Sequence, residues 1–275
     1  MVWKKRILLI MAGIIAVAVL IGTMSVRHSA KEIMTALENN PDEAQTLILN
    51  SNKTVLMART APNLNENLTD SYNYPVFFYI CRLGTPEMVE ACISKGVNVN
   101  RTDSQETPLL MALSGENAER YDIANLLIDN GADVKARLKS GESVQYRCVH
   151  TFNEAEETKS VEVLKRTGEI MNTLDYRTVL GEAAAYNNRK AIDFIGDINQ
   201  TDKGGNTALH SAVMAFCPEG CEYLIEKGID RDIRNREGKT ALDIAKETES
   251  ELYAEMSMYE EYKESIDEII AILGG

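Results

Sequence analysis

Histidine, cysteine and basic residues are scarce in this chain of 275 residues. Three histidines, His28, His150 and His210, leave little room for histidine-based metal sites or catalytic triads. Five cysteines are too few for a scaffold built on disulfides, and the odd number leaves at least one thiol unpaired within the chain. The 29 basic residues face 42 acidic ones, for a net charge of −13. This balance argues against a general nucleic-acid binder, which needs a basic face.

The sequence also lacks the short motifs that carry catalysis. It has no Gly-rich phosphate loop, no nucleophile elbow and no paired-acid motif. No histidine has a second histidine or a carboxylate at a persuasive metal-ligand spacing. We therefore predict a protein that is not an enzyme, needs no cofactor or metal, and binds neither nucleic acid nor a small-molecule substrate.

The first 27 residues differ from the rest of the chain. Residues 7–24 form an uncharged run of 18 residues behind Lys4, Lys5 and Arg6. At 1.5 Å per residue, this run is just long enough to span a bilayer core of about 30 Å. We interpret residues 1–27 as an uncleaved signal anchor, a single transmembrane helix. A cleaved signal peptide, which would leave a soluble exported protein, is the alternative.

The flanking charges predict the orientation of this helix. More basic groups precede the run than follow it, which favours a cytoplasmic N-terminus and a body outside the membrane, periplasmic if the cell is bacterial. The three basic residues before the run and Arg27 account for four of the 29. The remainder therefore has 42 acidic against 25 basic residues, or −17.

A six-residue phrase recurs along the body. Its clearest copies are Thr207-Ala208-Leu209-His210-Ser211-Ala212 and Thr240-Ala241-Leu242-Asp243-Ile244-Ala245. The copies start at 74, 107, 143, 178, 207 and 240, in steps of 33, 36, 35, 29 and 33 residues. The leading Thr or Ser is typical of a helix N-cap, whose side-chain oxygen accepts from free backbone N–H groups. A small residue five places later allows a neighbouring helix to approach closely.

A second phrase follows the first at a nearly constant distance, with its best copy at 126–134, Leu-Leu-Ile-Asp-Asn-Gly-Ala-Asp-Val. The paired apolar residues predict a second helix, and the glycine predicts its left-handed C-cap. The polar stretch beyond it is typical of a tight turn.

These two phrases resemble the ankyrin repeat, whose signature is a Thr-Pro-Leu-His-x-Ala helix start at a 33-residue period. The resemblance implies an all-α ankyrin-repeat solenoid of helix–turn–helix units with hairpin tips, here behind an N-terminal transmembrane helix. It also implies that His210 makes a structural hydrogen bond between adjacent turns. His150, on the least regular unit, is expected at the exposed surface.

The beginning and end of the repeat pattern divide the chain into segments. We predict a helical cap and loop at 28–70, the repeat array at 71–246, and an acidic capping helix at 247–275. Tyr79 occupies a position that other repeats fill with a small residue, so the first repeat packs differently or has a shifted register. The 29-residue step indicates that the second helix near residue 195, or its exit turn, is shortened.

Cys217 and Cys221 flank a Pro-Glu-Gly sequence at a predicted helix–helix turn. If the body is exported, a local disulfide between them is geometrically and chemically permitted. Two free thiols are the alternative.

Arrays of this family generally bind proteins through the hairpin tips and the inner face of the first helices. Transferred to this sequence, the candidate partner-binding residues are Asp103, Ser104, Glu106, Ser114, Lys139, Glu142, Val149, Lys203, Asn206, Met214, Arg236, Glu237 and Lys239. We predict a membrane-tethered interaction module whose protein partner is basic. One form of this hypothesis is an immunity or inhibitor protein that binds a toxin or enzyme in the envelope. The alternative is an envelope scaffold or stress-defence adaptor that organises other membrane proteins.

Overall fold

The computed structural model describes residues 22–26, 28–59, 74–103, 106–115, 117–151, 154–172, 177–254 and 260–274. The chain divides into two compact units, residues 1–132 and 133–275. Each unit is built from helices joined by turns. The uncharged run at 7–24 lies almost entirely outside the described residues. Among those that are described, no helix is both long enough and apolar enough to cross a bilayer.

The first unit holds eight helical segments in its described part. Residues 22–26 and 28–39 are helical, and we call 28–39 α1. The others are α2 (Pro41–Asn50), α3 (Lys53–Leu56), α4 (Val76–Leu83), α5 (Pro86–Ser94), α6 (Pro108–Ala112) and α7 (Arg120–Asp129).

The second unit holds eight helices in its described part. They are α8 (Val144–Cys148), α9 (Glu154–Arg166), α10 (Val179–Ala185), α11 (Arg189–Ile195), α12 (Ala208–Met214), α13 (Pro218–Glu226), α14 (Ala241–Ala254) and α15 (Glu260–Gly274).

The first helix of most pairs begins where the sequence predicts. The side chains of Thr107, Ser143 and Thr178 each accept a hydrogen bond from the backbone N–H three residues later. Thr240 and Asp243 cap each other reciprocally: each side chain accepts from the other's backbone N–H. These contacts satisfy donors that a helix start leaves without an intrahelical partner.

Three local differences from the prediction have physical reasons. The first pair begins one residue late, because Pro75 is the N-cap of α4, and Tyr79 is buried in this shifted register. Asn52 caps the short helix α3 inside a stretch that was expected to be a loop. The shortened helix near residue 195 is confirmed: α11 has seven residues and ends at Gly196, whose φ is +87°.

Close packing between helices depends on glycine in the second unit. A Cβ at Gly181 of α10 would lie 2.5 Å from Ser211 Oγ of α12. A Cβ at Gly220 of α13 would lie 2.2 Å from the carbonyl oxygen of Ala184. Gly220 therefore lies inside a helix that touches its neighbour's backbone, rather than in the turn where the sequence suggested it.

The C-terminal end of the second unit closes with a helix pair. The predicted boundary at 246/247 falls inside α14, which runs on to Ala254. Helix α15 packs against α13 and α14 and buries Ile266, Ile269 and Leu273. Helix α15 lies within 247–275, the segment predicted to form a capping helix.

Candidate functional site

Three hairpin tips of the second unit, all within its described residues, share one backbone geometry. Each is closed by an N–H that donates to the carbonyl four residues later: Leu138 to Glu142 (2.8 Å), Asp202 to Asn206 (3.0 Å) and Asn235 to Lys239 (2.9 Å). The fourth residue of each tip is a glycine with positive φ: Gly141 (+94°), Gly205 (+79°) and Gly238 (+77°). Because this backbone region favours glycine, the sequence fixes the shape of each tip.

The last two tips are hydrogen-bonded to each other. Asn206 donates through Nδ2 to Asp202 Oδ2 (3.1 Å), and its Oδ1 accepts from Asn235 Nδ2 (3.0 Å). The backbone N–H of Arg236 donates to the carbonyl of Gly204 (2.8 Å). This ladder holds the neighbouring side chains in fixed positions, which lowers the entropic cost of binding a partner.

The candidate residues fall into three groups. The exposed ones are Ser114, Lys139, Lys203, Met214, Arg236 and Glu237. The half-buried ones are Glu142, Asn206 and Lys239, of which Glu142 pairs with Arg147 and Lys239 with Glu237 and Glu247. Ser104 lies outside the described residues.

The third group, Asp103, Glu106 and Val149, is buried, and the expectation that these residues face a partner is corrected here. Asp103 is 4 % exposed and accepts a hydrogen bond from Arg59 Nη2 at 2.9 Å. Glu106 is 7 % exposed, and its backbone exchanges two hydrogen bonds with that of Asp103. Both residues therefore close their own hairpin instead of pointing outward.

Val149 was assigned one residue out of register. Ser114 and Met214 lie seven residues after their N-caps, Thr107 and Thr207. Counted from Ser143, the equivalent residue is His150, whereas Val149 is fully buried. The irregular sequence of the repeat that begins at Ser143 conceals this one-residue shift.

His150 belongs to a polar cluster that the sequence did not reveal. It is half-buried, not exposed as expected, and its Nε2 lies 2.5 Å from Glu182 Oε1. The other carboxylate oxygen of Glu182 accepts from Arg177 Nη1 at 2.7 Å. The His150 ring stacks on Tyr186 with centroids 4.3 Å apart. Tyr186 itself is 37 % exposed.

The cluster controls the protonation of Glu182. Burial raises the pKa of this carboxyl, but the hydrogen bonds and charges of His150 and Arg177 outweigh it, so the pKa is lowered overall. Glu182 is therefore a carboxylate at neutral pH. Its two oxygens are occupied by internal partners, which makes a structural role the simplest account of this cluster.

The cysteines carry no sign of reactivity. All five are buried free thiols, so the disulfide permitted between Cys217 and Cys221 is not formed in this structure. Burial raises the pKa of Cys92 to about 12 and also raises the pKa values of Cys217 and Cys221. Within the described ranges, no group of three or more His, Cys, Asp or Glu side chains is arranged to hold a metal ion.

A family model decides the classification. The model described as ankyrin repeats, in three copies, matches residues 33–137, 148–235 and 180–256, well over half of the chain. The chain belongs to the ankyrin repeat family. The matched region begins inside the segment predicted as an N-terminal cap, so α1 and α2 lie largely within it.

Curated relatives resemble this protein over short stretches. The ankyrin repeat-containing protein BDA1 of Arabidopsis thaliana is 35% identical over 83 residues, which is 30% of this chain and 17% of that protein. The human NAD-capped RNA hydrolase NUDT12 is 48% identical over 48 residues, 18% of this chain and 10% of that enzyme. The chain thus spans less than a fifth of the length of these relatives.

Solved ankyrin structures share the fold over most of the chain. The human ASB11 ankyrin repeat domain has a TM-score of 0.56 at 18% identity and covers 85% of this chain and 95% of that one. The ankyrin repeat protein EF0377 has a TM-score of 0.52 at 19% identity, with 72% and 96% covered. The complex of the Bd0816 predatory endopeptidase from Bdellovibrio bacteriovorus with immunity protein Bd3460 has a chain with a TM-score of 0.50 at 22% identity, with 70% and 96% covered.

Proposed function

We propose that this ankyrin repeat protein is a non-catalytic protein-binding module, tethered to a membrane by residues 1–27 and facing outward from it. The observation that carries the proposal is the row of exposed side chains on hydrogen-bonded hairpin tips, with Lys139, Arg236 and Glu237 at their ends. Such a surface offers many solvent-facing contacts on a rigid frame, which suits recognition of another folded protein.

The partner we propose is a basic protein. Residues 28–275 carry −17, and a negative surface of this kind steers a positive partner by long-range attraction. Association should therefore slow as salt is added, because the attraction is screened beyond about 10 Å at 0.1 M ionic strength.

In its most specific form, the proposal is an immunity or inhibitor protein that covers a toxic enzyme in the envelope. The support is an analogy: one solved complex with a chain of this fold joins a predatory endopeptidase to an immunity protein.

Two experiments test the proposal. In spheroplasts of cells that carry the protein, added protease should digest the body while the membrane stays intact. Protection of the body would contradict the outward orientation. Affinity capture with the full chain should retain one basic effector, and co-expression should protect cells against it. Retention of several membrane proteins without protection would favour the scaffold or stress-defence alternative.

A further inference from the structure

A groove lies at the edge of the second unit opposite the hairpin tips, where first helices turn into second helices. It has a volume of about 780 Å³ and is lined by residues of three successive turns, among them Thr151, Tyr186 and Phe216. A groove of this size falls within the range of ordinary ligand sites and holds several amino-acid residues. It is separate from the tips on which the proposed function depends.

The turn geometry places an aromatic ring in the groove. Asn187 and Phe216 each lie nine residues after an N-cap and have positive φ, +48° and +55°. This conformation is a genuine outlier for a bulky side chain. The Phe216 ring packs against Tyr262 of α15, with centroids 4.8 Å apart, which helps to hold it in this position.

The carboxylates that line the groove are mostly occupied. Asp193 pairs with Lys227 Nζ (2.5 Å) and accepts from Tyr223 Oη (3.0 Å). Glu157 is buried, and its Oε2 accepts from the backbone N–H of Lys190 (3.1 Å). Glu219 stays exposed in the first turn of α13, where the helix dipole favours a negative charge.

The cations of the groove are available. Arg189 and Lys190 are both exposed, and within the described part of the chain neither forms an ion pair with a carboxylate. The Arg189 guanidinium lies over the Tyr223 ring at 5.0 Å, and Lys190 Nζ reaches only the hydroxyl of Thr158 (2.5 Å). Arg189 Nε donates to Asn187 Oδ1 (3.4 Å), which leaves the two terminal nitrogens of the guanidinium to bind a carboxylate.

We propose that this groove is a second docking surface, which binds an acidic peptide segment of a partner protein that also carries an apolar side chain. A carboxylate of the peptide lies on Arg189 and Lys190, and an apolar side chain lies between Tyr186 and Phe216. The charge complementarity is confined to the exposed pair Arg189 and Lys190, since Glu157 and Glu219 keep their negative charge in the same groove and the body as a whole is acidic.

The test measures fluorescence anisotropy of the full-length protein with a labelled peptide of about eight residues that alternates glutamate with phenylalanine and leucine. A peptide with lysine in place of every glutamate is the probe control. The acidic peptide should bind in the micromolar to sub-millimolar range, and the basic one should bind at least about tenfold more weakly.

Charge reversal locates the site. Arg189→Glu with Lys190→Glu should weaken acidic-peptide binding about tenfold, since it replaces two cations by anions. These substitutions suit the first turn of α11, where acidic residues are favoured, so the variant should fold. Arg231→Glu with Lys246→Glu changes the net charge equally at exposed positions away from the groove and should leave binding unchanged.

Three results with the two peptides and the two charge-reversal pairs would overturn the proposal. They are no binding of the acidic peptide at about 1 mM, equal binding of the two peptides, and equal effects of the two charge-reversal pairs. Lys139→Ala with Arg236→Ala, which alters the tips, should leave peptide binding intact; its loss there would also overturn the assignment. Because the tips and the groove are changed separately, failure at the groove leaves the proposed function of the tips standing.

Discussion

His210 Nε2 lies 3.1 Å from the carbonyl oxygen of Lys239, the residue just before the N-cap of the following repeat. His210 Nδ1 accepts from the backbone N–H of Thr207 (3.2 Å), so Nε2 carries the proton and donates to Lys239. One neutral ring thus joins two successive repeats, which confirms the structural hydrogen bond that the family resemblance implied.

Tyr146 makes the equivalent link in another repeat. It also lies three residues after its N-cap, Ser143, and its hydroxyl donates to the carbonyl of Arg177, just before Thr178. A different side chain therefore makes the same inter-repeat hydrogen bond from the same position, although the sequence of that repeat departs most from the family pattern.

Removal of the histidine ring should weaken the second unit. His210→Ala leaves the Lys239 carbonyl and the Thr207 N–H without these partners in a buried place, and we expect a loss of about 1–3 kcal/mol in the free energy of unfolding. Urea denaturation followed by circular dichroism measures it. A loss below the error of the measurement would contradict the role given to this ring.

Stability should also depend on pH through His210. Burial lowers its pKa from the ordinary value near 6.5, although the hydrogen bond to Lys239 and the charge of Asp202 act in the opposite direction. The unfolded chain therefore takes up the proton first. The contribution is fully present above about pH 6.5 and is lost as the pH falls toward the folded-state pKa.

Thermal unfolding between pH 5 and 8 tests this dependence. The wild-type melting temperature should fall at the acidic end, and His210→Gln, which cannot titrate, should lack that part of the fall. Identical pH profiles for the two proteins would show that His210 is not the group responsible.

The Glu182 cluster should stabilise the folded state at neutral pH. Glu182→Gln removes the charge that His150 and Arg177 share, and we expect a loss of about 1–3 kcal/mol at pH 7. Because the folded-state pKa of Glu182 is lowered, its contribution is present above the ordinary carboxyl value and disappears as the pH falls through the folded pKa.

The matched control for this substitution is Glu222→Gln, which makes the same chemical change on an exposed position of α13. It should change the free energy of unfolding by less than about 0.5 kcal/mol. If both variants behaved alike in denaturation, the cluster would not stabilise the fold.

Gly220 should tolerate no side chain. In Gly220→Ala the new Cβ would meet the Ala184 carbonyl oxygen at 2.2 Å, so α13 must move away from α10. We expect a loss of about 1–3 kcal/mol despite the better helix propensity of alanine. Gly274→Ala, with no atom near the added Cβ, is the control, and equal stability of the two variants would contradict the close approach.

The helix starts could be predicted from the sequence because the interaction that fixes them is local. The hydroxyl of Thr107 or Thr178 finds its partner three residues away, so a short phrase contains the whole signal. The start at Tyr74 was wrong by one residue because Pro75 caps α4 without a side-chain hydrogen bond, and so leaves no such signal.

The candidate site was predicted only in part, because burial depends on contacts that are distant in sequence. Asp103 is hydrogen-bonded to Arg59, 44 positions earlier in the chain, and no local sequence pattern indicates this contact. The groove combines residues near 151, 186 and 216, each unremarkable in its own segment. Exposed tip residues such as Lys139 and Arg236 were easier, since a turn with glycine at a fixed place must project into solvent.

The central claim, that the hairpin tips bind a protein partner, is tested most directly by quantitative capture with matched variants. The tip variant combines Lys139→Ala, Lys203→Ala and Arg236→Ala, all exposed positions on the three tips. The control variant combines Lys246→Ala and Glu222→Ala, exposed on α14 and α13. Wild type and control should retain the same basic protein, and the tip variant should lose at least about nine-tenths of it. Equal retention by the tip variant would show that the tips do not bind the partner.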